Sequence, residues 1–147
     1  MKRVVVAVDR SASSLRAVDL AADVANRYGA ELVLLTVMRG ISQPDPVLEA
    51  YAHIELIKDP PDAMVIEGVR DGLADLGEHA RANGAQQVSV EVFVGDPASE
   101  ILAYAADARP DLIVLGSRGH GRLAGLLLGS VVQKVTGLAQ CAVLVVH

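Results

Sequence analysis

The residues with the clearest chemical potential lie between Gly116 and Ser130, a segment with five glycines in fifteen residues. Glycines accept positive φ angles and let consecutive N–H groups converge on one point. A helix predicted to begin near Ser130 adds N–H groups without partners and the positive end of its dipole. Arg118, His120 and Arg122 add positive charge to a chain whose net charge is -5. These features predict a phosphate-binding loop, and a flexible surface loop with solvated arginines is the alternative.

Two familiar phosphate-binding motifs do not fit this segment. A P-loop would place a lysine directly before the final serine, but residues 125–130 read GLLLGS. A dinucleotide fingerprint would place glycines after the first strand, but residues 9–14 read DRSASS. We therefore do not expect NAD or FAD as the ligand.

Size and composition indicate one globular domain spanning residues 1–147, with a hydrophobic fraction of 52%. The acidic net charge argues against a nucleic-acid partner, which would require a basic face. The single cysteine, Cys141, is interpreted as a small buried apolar residue in a protein of a reducing compartment. No Cys/His cluster has the spacing of metal ligands, so no metal site built from side chains is expected.

The basic start of the chain has the positive head of a signal peptide, but Asp9 ends its apolar run after five residues. No uninterrupted apolar stretch approaches the roughly 18 residues of a membrane span. We therefore expect a cytoplasmic protein without membrane insertion.

Short β-branched runs alternate with helical patterns, which predicts a Rossmann-like α/β domain: an open parallel sheet with helices on both faces. The predicted strands are Arg3 to Val8, Leu32 to Val37, Val88 to Val94, Leu112 to Leu115 and Ala142 to Val146. The predicted helices are Ser11 to Tyr28, about Asp62 to Ala82, Pro97 to Ala108 and Ser130 to Leu138. Ser11 and Asp96 are predicted N-caps, Pro97 opens a first turn, and Gly29 closes the first helix.

Ligands of such sheets lie beyond the carboxyl ends of the strands. The segments that follow these ends are Asp9 to Ser14, Met38 onward, Gly95 to Pro97, and the glycine-rich loop. The stretch from Met38 to Pro61 holds four prolines and exceeds a usual connection, so we predict a mobile flap there.

These residues resemble the nucleotide-binding branch of the universal stress protein family. That branch carries a glycine, two residues, a glycine, nine residues, then glycine and serine or threonine, and Gly116, Gly119, Gly129 and Ser130 match throughout. The resemblance extends to VAVDRS at residues 6–11, VGDP at residues 94–97 and CAVLVV at residues 141–146, and so covers nearly the whole chain. In the family, glycine is frequent where Arg10 stands here, and proline is frequent in place of Ala142.

The resemblance implies strand order 3-2-1-4-5, with a nucleotide lying across the switch between the first and fourth strands. It implies adenine near Ala7, Asp9 and the Val37 main chain, with ribose near Asp9 and Gly116. It also implies phosphates on Gly119 to Arg122 and on Ser130 to Val132. The expected binding residues are Ala7, Asp9, Val37, Gly116, Ser117, Arg118, Gly119, His120, Gly121, Arg122, Gly129, Ser130, Val131 and Val132. For Asp9, a helix-start residue that bonds nearby N–H groups is the alternative.

The loop's length and basic residues favour ATP, and the resemblance implies Mg²⁺ held through the phosphates, while ADP, AMP and cyclic nucleotides stay open. The predicted function is a regulatory module in which nucleotide occupancy changes a surface seen by an unknown protein partner. The alternatives are a slow ATPase or another adenine-nucleotide enzyme, and an interaction protein without a ligand; no catalytic residue is expected. The predicted edge strand Ala142 to Val146 favours a homodimer by antiparallel pairing with its copy, as the resemblance also implies.

Overall fold

Strands and helices alternate along the chain in the computed structural model, which describes residues 1–39, 63–118 and 128–147. The strands are β1 (Arg3–Ala7), β2 (Glu31–Met38), β3 (Gln87–Val94), β4 (Leu112–Gly116) and β5 (Ala142–Val146). The helices are α1 (Ala12–Tyr28), α2 (Ala63–Ala82), α3 (Pro97–Ala108) and α4 (Ser130–Leu138). Each of these elements matches a predicted one to within one residue at either end.

The five strands form one parallel sheet in the order β3-β2-β1-β4-β5, which confirms the predicted topology. The central strand β1 pairs with β2 on one side and with β4 on the other. Ala7, the last residue of β1, lies opposite Leu35 of β2 and Leu115 of β4. The carboxyl ends of β1 and β4 therefore lie side by side, and β2 continues beyond them to Met38.

Each face of the sheet carries its own hydrophobic core, because both faces of a parallel sheet are covered by helices. Val4 and Val6 of β1 join one cluster with residues of α1 and α2. Val5 joins the other cluster with residues of α3 and α4. The strictly alternating partition of this strand confirms helices on both faces, and it explains why its sequence reads as a continuous apolar run.

The predicted helix boundaries are confirmed by their capping geometry. The Ser11 hydroxyl accepts a hydrogen bond from the Ser14 amide, and α1 ends at Gly29 in the left-handed conformation with φ of 61°. Asp96 caps α3 by accepting from the Ser99 amide, and Pro97 stands in the first turn. These local features fix where each helix leaves the sheet.

The predicted flap begins too early in the sequence. Met38 is the last residue of β2, is fully buried and pairs with Val94 of β3, because its apolar side chain fills the core under α2. The remainder of the proposed flap, residues 40–61, lies outside the described residues.

Cys141 is half-buried rather than fully buried, and it packs against the core under α3 and α4. Burial raises the pKa of its thiol. The side chain therefore behaves as the predicted apolar residue, at the margin of the core instead of within it.

Candidate functional site

The sheet has a topological switch point between β1 and β4. The chain leaves β1 through α1 toward β2, whereas it leaves β4 toward β5 on the opposite side. Connections that diverge in this way leave a crevice at the carboxyl ends of the two strands. Asp9 follows β1 by two residues and Gly116 is the last residue of β4, so both stand at this crevice.

A tight turn connects β1 to α1. The Asp9 carboxylate accepts a hydrogen bond from the Ser11 amide at 2.9 Å, and Arg10 between them has a positive φ of 60°. A short acceptor side chain two residues ahead of a donor amide stabilises such a turn. Asp9 thus fills the helix-start role, and Arg10 adopts a left-handed backbone conformation that glycine would adopt without strain.

Gly116 is required by the close approach of α1 to the end of β4. A Cβ atom added at Gly116 would lie 2.6 Å from the Ser13 hydroxyl oxygen and 2.7 Å from both the Ser13 carbonyl carbon and the Ser14 amide nitrogen. No side chain fits at such distances from main-chain atoms. The first glycine of the loop therefore brings the main chain of α1 against the crevice.

The first described residues of the glycine-rich loop are held by two serines of α1. The Ser13 hydroxyl donates to the Arg118 carbonyl at 2.6 Å, and the Ser11 hydroxyl donates to the same oxygen at 3.1 Å. Ser13 is buried. Sequence reasoning assigned Ser11 only a capping role and missed Ser13, although the serine-rich run at residues 11–14 beside the crevice carries that signal.

The two ends of the loop are joined to one another by the main chain. The Gly129 amide donates to the Ser117 carbonyl at 2.9 Å, and the Ser117 amide donates to the Val146 carbonyl at 2.6 Å. Ser117 is almost fully buried, with 3% of its surface exposed. The loop is therefore anchored at its base to the last residue of β5.

The N-terminus of α4 points its amides out of this anchored base without a side-chain cap. Gly129 precedes the helix in an extended conformation, and it makes no side-chain capping bond. The Gln133 amide donates to the Gly129 carbonyl at 3.0 Å, and it is the first amide of α4 that has an acceptor among the described residues. The amides of Ser130, Val131 and Val132 have no acceptor there. Such a helix terminus favours an anion.

The structure brings most of the predicted residues to the same edge of the sheet. Ala7 is half-buried at the end of β1, Val37 is buried near the end of β2, and Arg118 is exposed. Gly119, His120, Gly121 and Arg122 lie outside the described residues, so their predicted phosphate contacts stay predictions.

Beside the crevice, an ion pair joins α3 to α4. The Lys134 ammonium lies 3.2 Å from an Asp96 carboxylate oxygen and 3.1 Å from the Ser99 hydroxyl oxygen. Hydrogen bonds from the Ser99 hydroxyl and amide, with a smaller effect of Lys134, lower the pKa of Asp96. The pair is largely exposed and links the start of α3 to the middle of α4.

Within residues 1–39, 63–118 and 128–147, the structure contains no group of three or more His, Cys, Asp or Glu side chains placed to hold a metal ion. Over the same ranges, none of the helices combines the length and the apolar character that crossing a membrane would require.

Comparison with known proteins decides the family. The sequence model of the universal stress protein family matches residues 1–147. The chain belongs to the universal stress protein family. A universal stress protein of Mycobacterium tuberculosis is 35% identical over 149 residues, covering 99% of this chain and 96% of its own. Universal stress protein YxiE of Bacillus subtilis is 34% identical over 147 residues, covering 99% of this chain and 98% of its own. These names describe stress proteins and name no reaction.

Among solved structures, this universal stress protein is similar to one described as a universal stress protein in complex with cAMP. The two share 30% sequence identity and a TM-score of 0.70, over 99% of this chain and 96% of the other. The fold described above is thus the fold of a protein solved with an adenine nucleotide bound.

Proposed function

We propose that this universal stress protein binds an adenine nucleotide, with ATP as the expected ligand, in the crevice between β1 and β4. The observation that carries the proposal is the uncapped N-terminus of α4, which directs the amides of Ser130 to Val132 outward from the anchored base of the glycine-rich loop. Orphan amides at the positive end of a helix dipole are suited to phosphate oxygens.

The residues around this terminus fit the other parts of a nucleotide. Asp9 would accept hydrogen bonds from ribose hydroxyls, and the sugar would lie near the main chain of Gly116. Ala7 and the main chain of Val37 would border the adenine. Gly119 to Arg122 would surround the distal phosphates, and Mg²⁺ would be bound through the phosphate oxygens, whose charge it would neutralise.

Nucleotide occupancy would act on a surface that another protein recognises. The Ser117 amide, at the base of the loop, donates to the Val146 carbonyl at the end of β5. Phosphate binding at the loop would therefore act on the edge of the sheet through this hydrogen bond. This connection supports a regulatory role, in which ligand binding changes the relative stability of two surface arrangements.

Isothermal titration calorimetry of nucleotide-stripped protein with ATP and Mg²⁺ tests the proposal, using two substitutions of Ser130. Ser130→Pro removes the first amide of α4 at a position where helices accept proline, and the extended conformation of Gly129 is suited to a following proline. Ser130→Ala removes only the hydroxyl and is the matched control. A charge-assisted bond contributes about 1.5–3 kcal/mol, so the proline variant should bind roughly 10-fold to 100-fold more weakly.

Titrations with ADP, AMP and cAMP then rank the possible ligands. Equal affinity of the wild-type protein and Ser130→Pro would place the phosphates elsewhere, and no saturable binding of any adenine nucleotide would support the ligand-free interaction protein. Release of phosphate by the ATP-bound protein with Mg²⁺, above the rate in buffer, would support the slow ATPase instead.

We also propose a homodimer through antiparallel pairing of β5 with its copy. The Val146 carbonyl faces β4, so alternation turns the main-chain groups of Val143 and Val145 toward the open edge. Val145→Pro removes one outward N–H without removing a bond to β4. Sedimentation velocity at micromolar concentration should show a dimer for the wild-type protein and a monomer for this variant; a wild-type monomer would refute the pairing.

A further inference from the structure

The two edges of the sheet differ in how their outward main-chain groups are satisfied. At the β3 edge, the Gly95 amide donates to the Met38 carbonyl of β2, so the alternating residues Val88, Val90 and Val92 turn their main-chain groups away from the sheet. Outward carbonyls and amides of this kind form a template for pairing with another strand.

Two arginines of α2 reach the outward carbonyls of β3. An Arg81 guanidinium nitrogen donates to the Val88 carbonyl at 3.1 Å, and an Arg70 guanidinium nitrogen donates to the Val90 carbonyl at 3.4 Å. Arg70 and Arg81 stand about three helical turns apart and so lie on one face of α2. We call them the arginine pair.

Each member of the arginine pair has an acidic neighbour three residues earlier on the helix. Arg81 lies 2.7 Å from a Glu78 carboxylate oxygen, and Arg70 lies 3.9 Å from a Glu67 carboxylate oxygen. These contacts direct the guanidinium groups along the helix surface toward β3. The same arrangement occurs twice, on two outward carbonyls of one edge strand.

The opposite edge has no comparable protection among the described residues. There, Val143 and Val145 of β5 receive no side-chain hydrogen bond on their outward carbonyls from any described residue. Arg16 donates instead to the carbonyl of His147, beyond the end of the strand, at 2.8 Å. A strand approaching β5 would meet main-chain groups, whereas a strand approaching β3 would first have to displace two charged side chains.

We propose that the arginine pair closes the β3 edge to strand addition by a second copy of this chain. A subunit with two open edges can pair at both, and such pairing gives open-ended assemblies instead of a closed dimer. Occupying the Val88 and Val90 carbonyls limits strand pairing to β5. This device is independent of nucleotide binding.

The test is sedimentation velocity of Arg70→Ala/Arg81→Ala over a range of protein concentrations. The wild-type protein should keep one particle size, and the double variant should form larger particles whose share rises with concentration. Lys2→Ala/Arg27→Ala is the control, since it removes the same charge from exposed positions without a side-chain bond to β3; it should behave like the wild-type protein.

A third substitution shows whether the growth uses β3. Val90→Pro removes an outward N–H from the β3 edge, so Arg70→Ala/Arg81→Ala/Val90→Pro should return to the wild-type size. The proposal would be overturned if the double variant kept the wild-type particle size or if the control grew equally. It would also be overturned if the triple variant with Val90→Pro still formed the larger particles. If the double variant loses its helical circular dichroism, the two single variants replace it, with growth in at least one expected and no growth in either overturning the proposal.

Discussion

Gly116→Ala is the sharpest perturbation of the crevice that the structure offers. The new Cβ atom would lie 2.6 Å from the Ser13 hydroxyl oxygen and 2.7 Å from main-chain atoms of Ser13 and Ser14. Carbon atoms require about 3.5 Å or more, and main-chain atoms of a capped helix do not rotate away as a side-chain tip does. The clash can therefore be relieved only if α1 moves away from β4. Overpacking of this kind lowers the free energy of unfolding by about 1–3 kcal/mol.

Urea denaturation followed by circular dichroism measures this loss, and Gly68→Ala is its matched control. A Cβ atom at Gly68, on α2, would meet no atom within 4 Å apart from the chain neighbours and the backbone of its own helix. Because alanine is the better helix former, Gly68→Ala should raise the free energy of unfolding by about 0.5–1 kcal/mol. A lower free energy of unfolding for Gly116→Ala and a higher one for Gly68→Ala would confirm that the contact with α1, and not the loss of a glycine, determines the effect. A Gly116→Ala protein as stable as the wild type would refute the close approach of α1.

Three further results are expected. The pKa values of Asp96 and Asp111 are lowered by hydrogen bonds from nearby hydroxyl or amide groups, so both carboxylates stabilise the fold above their ordinary pKa of about 3.9 and lose this effect as the pH falls through their folded values. The Asp96→Asn/Asp111→Asn protein should therefore lose less stability in urea denaturation between about pH 6 and pH 3 than the wild type. Arg109 ends α3 with φ of 48°, so Arg109→Gly should raise the melting temperature by relieving about 1 kcal/mol, whereas Arg109→Ala should not. Ser13→Ala removes the 2.6 Å bond to the Arg118 carbonyl, so calorimetry should show weaker ATP binding and denaturation a loss of about 1 kcal/mol; unchanged values would mean that this serine does not position the loop.

Local signals in the sequence were sufficient for the elements and for their order along the chain, whereas the order of the strands in the sheet was implied by the family resemblance. Continuous apolar runs predicted strands buried on both faces, and Ser11, Gly29 and Asp96 predicted helix ends that the structure confirms. The exception was Met38, which continues β2 although a proline-rich stretch follows it. Its position depends on Val94 and on the core under α2, and both contacts come from distant parts of the chain.

The site was predictable only in part. The glycine spacing indicated which residues border the crevice, because close approach and uncapped amides require particular residue types. Spacing gave no information on Ser13, whose hydroxyl reaches the Arg118 carbonyl only after β1 and β4 have paired. Ser117 was among the expected binding residues, but nothing in the sequence indicated that its amide joins the loop to the end of β5.

The sequence by itself determined the α/β class, the alternation of strands and helices, and the segment proposed to bind phosphate, because these depend on local periodicity, capping and glycine content. Only the tertiary structure decided which side chains meet across the sheet. Nothing in the sequence assigned a role to Arg70 and Arg81, because their contact with the outward carbonyls of β3 exists only once α2 has packed beside that edge. Contacts between distant residues depend on packing, and local residue patterns carry no record of them.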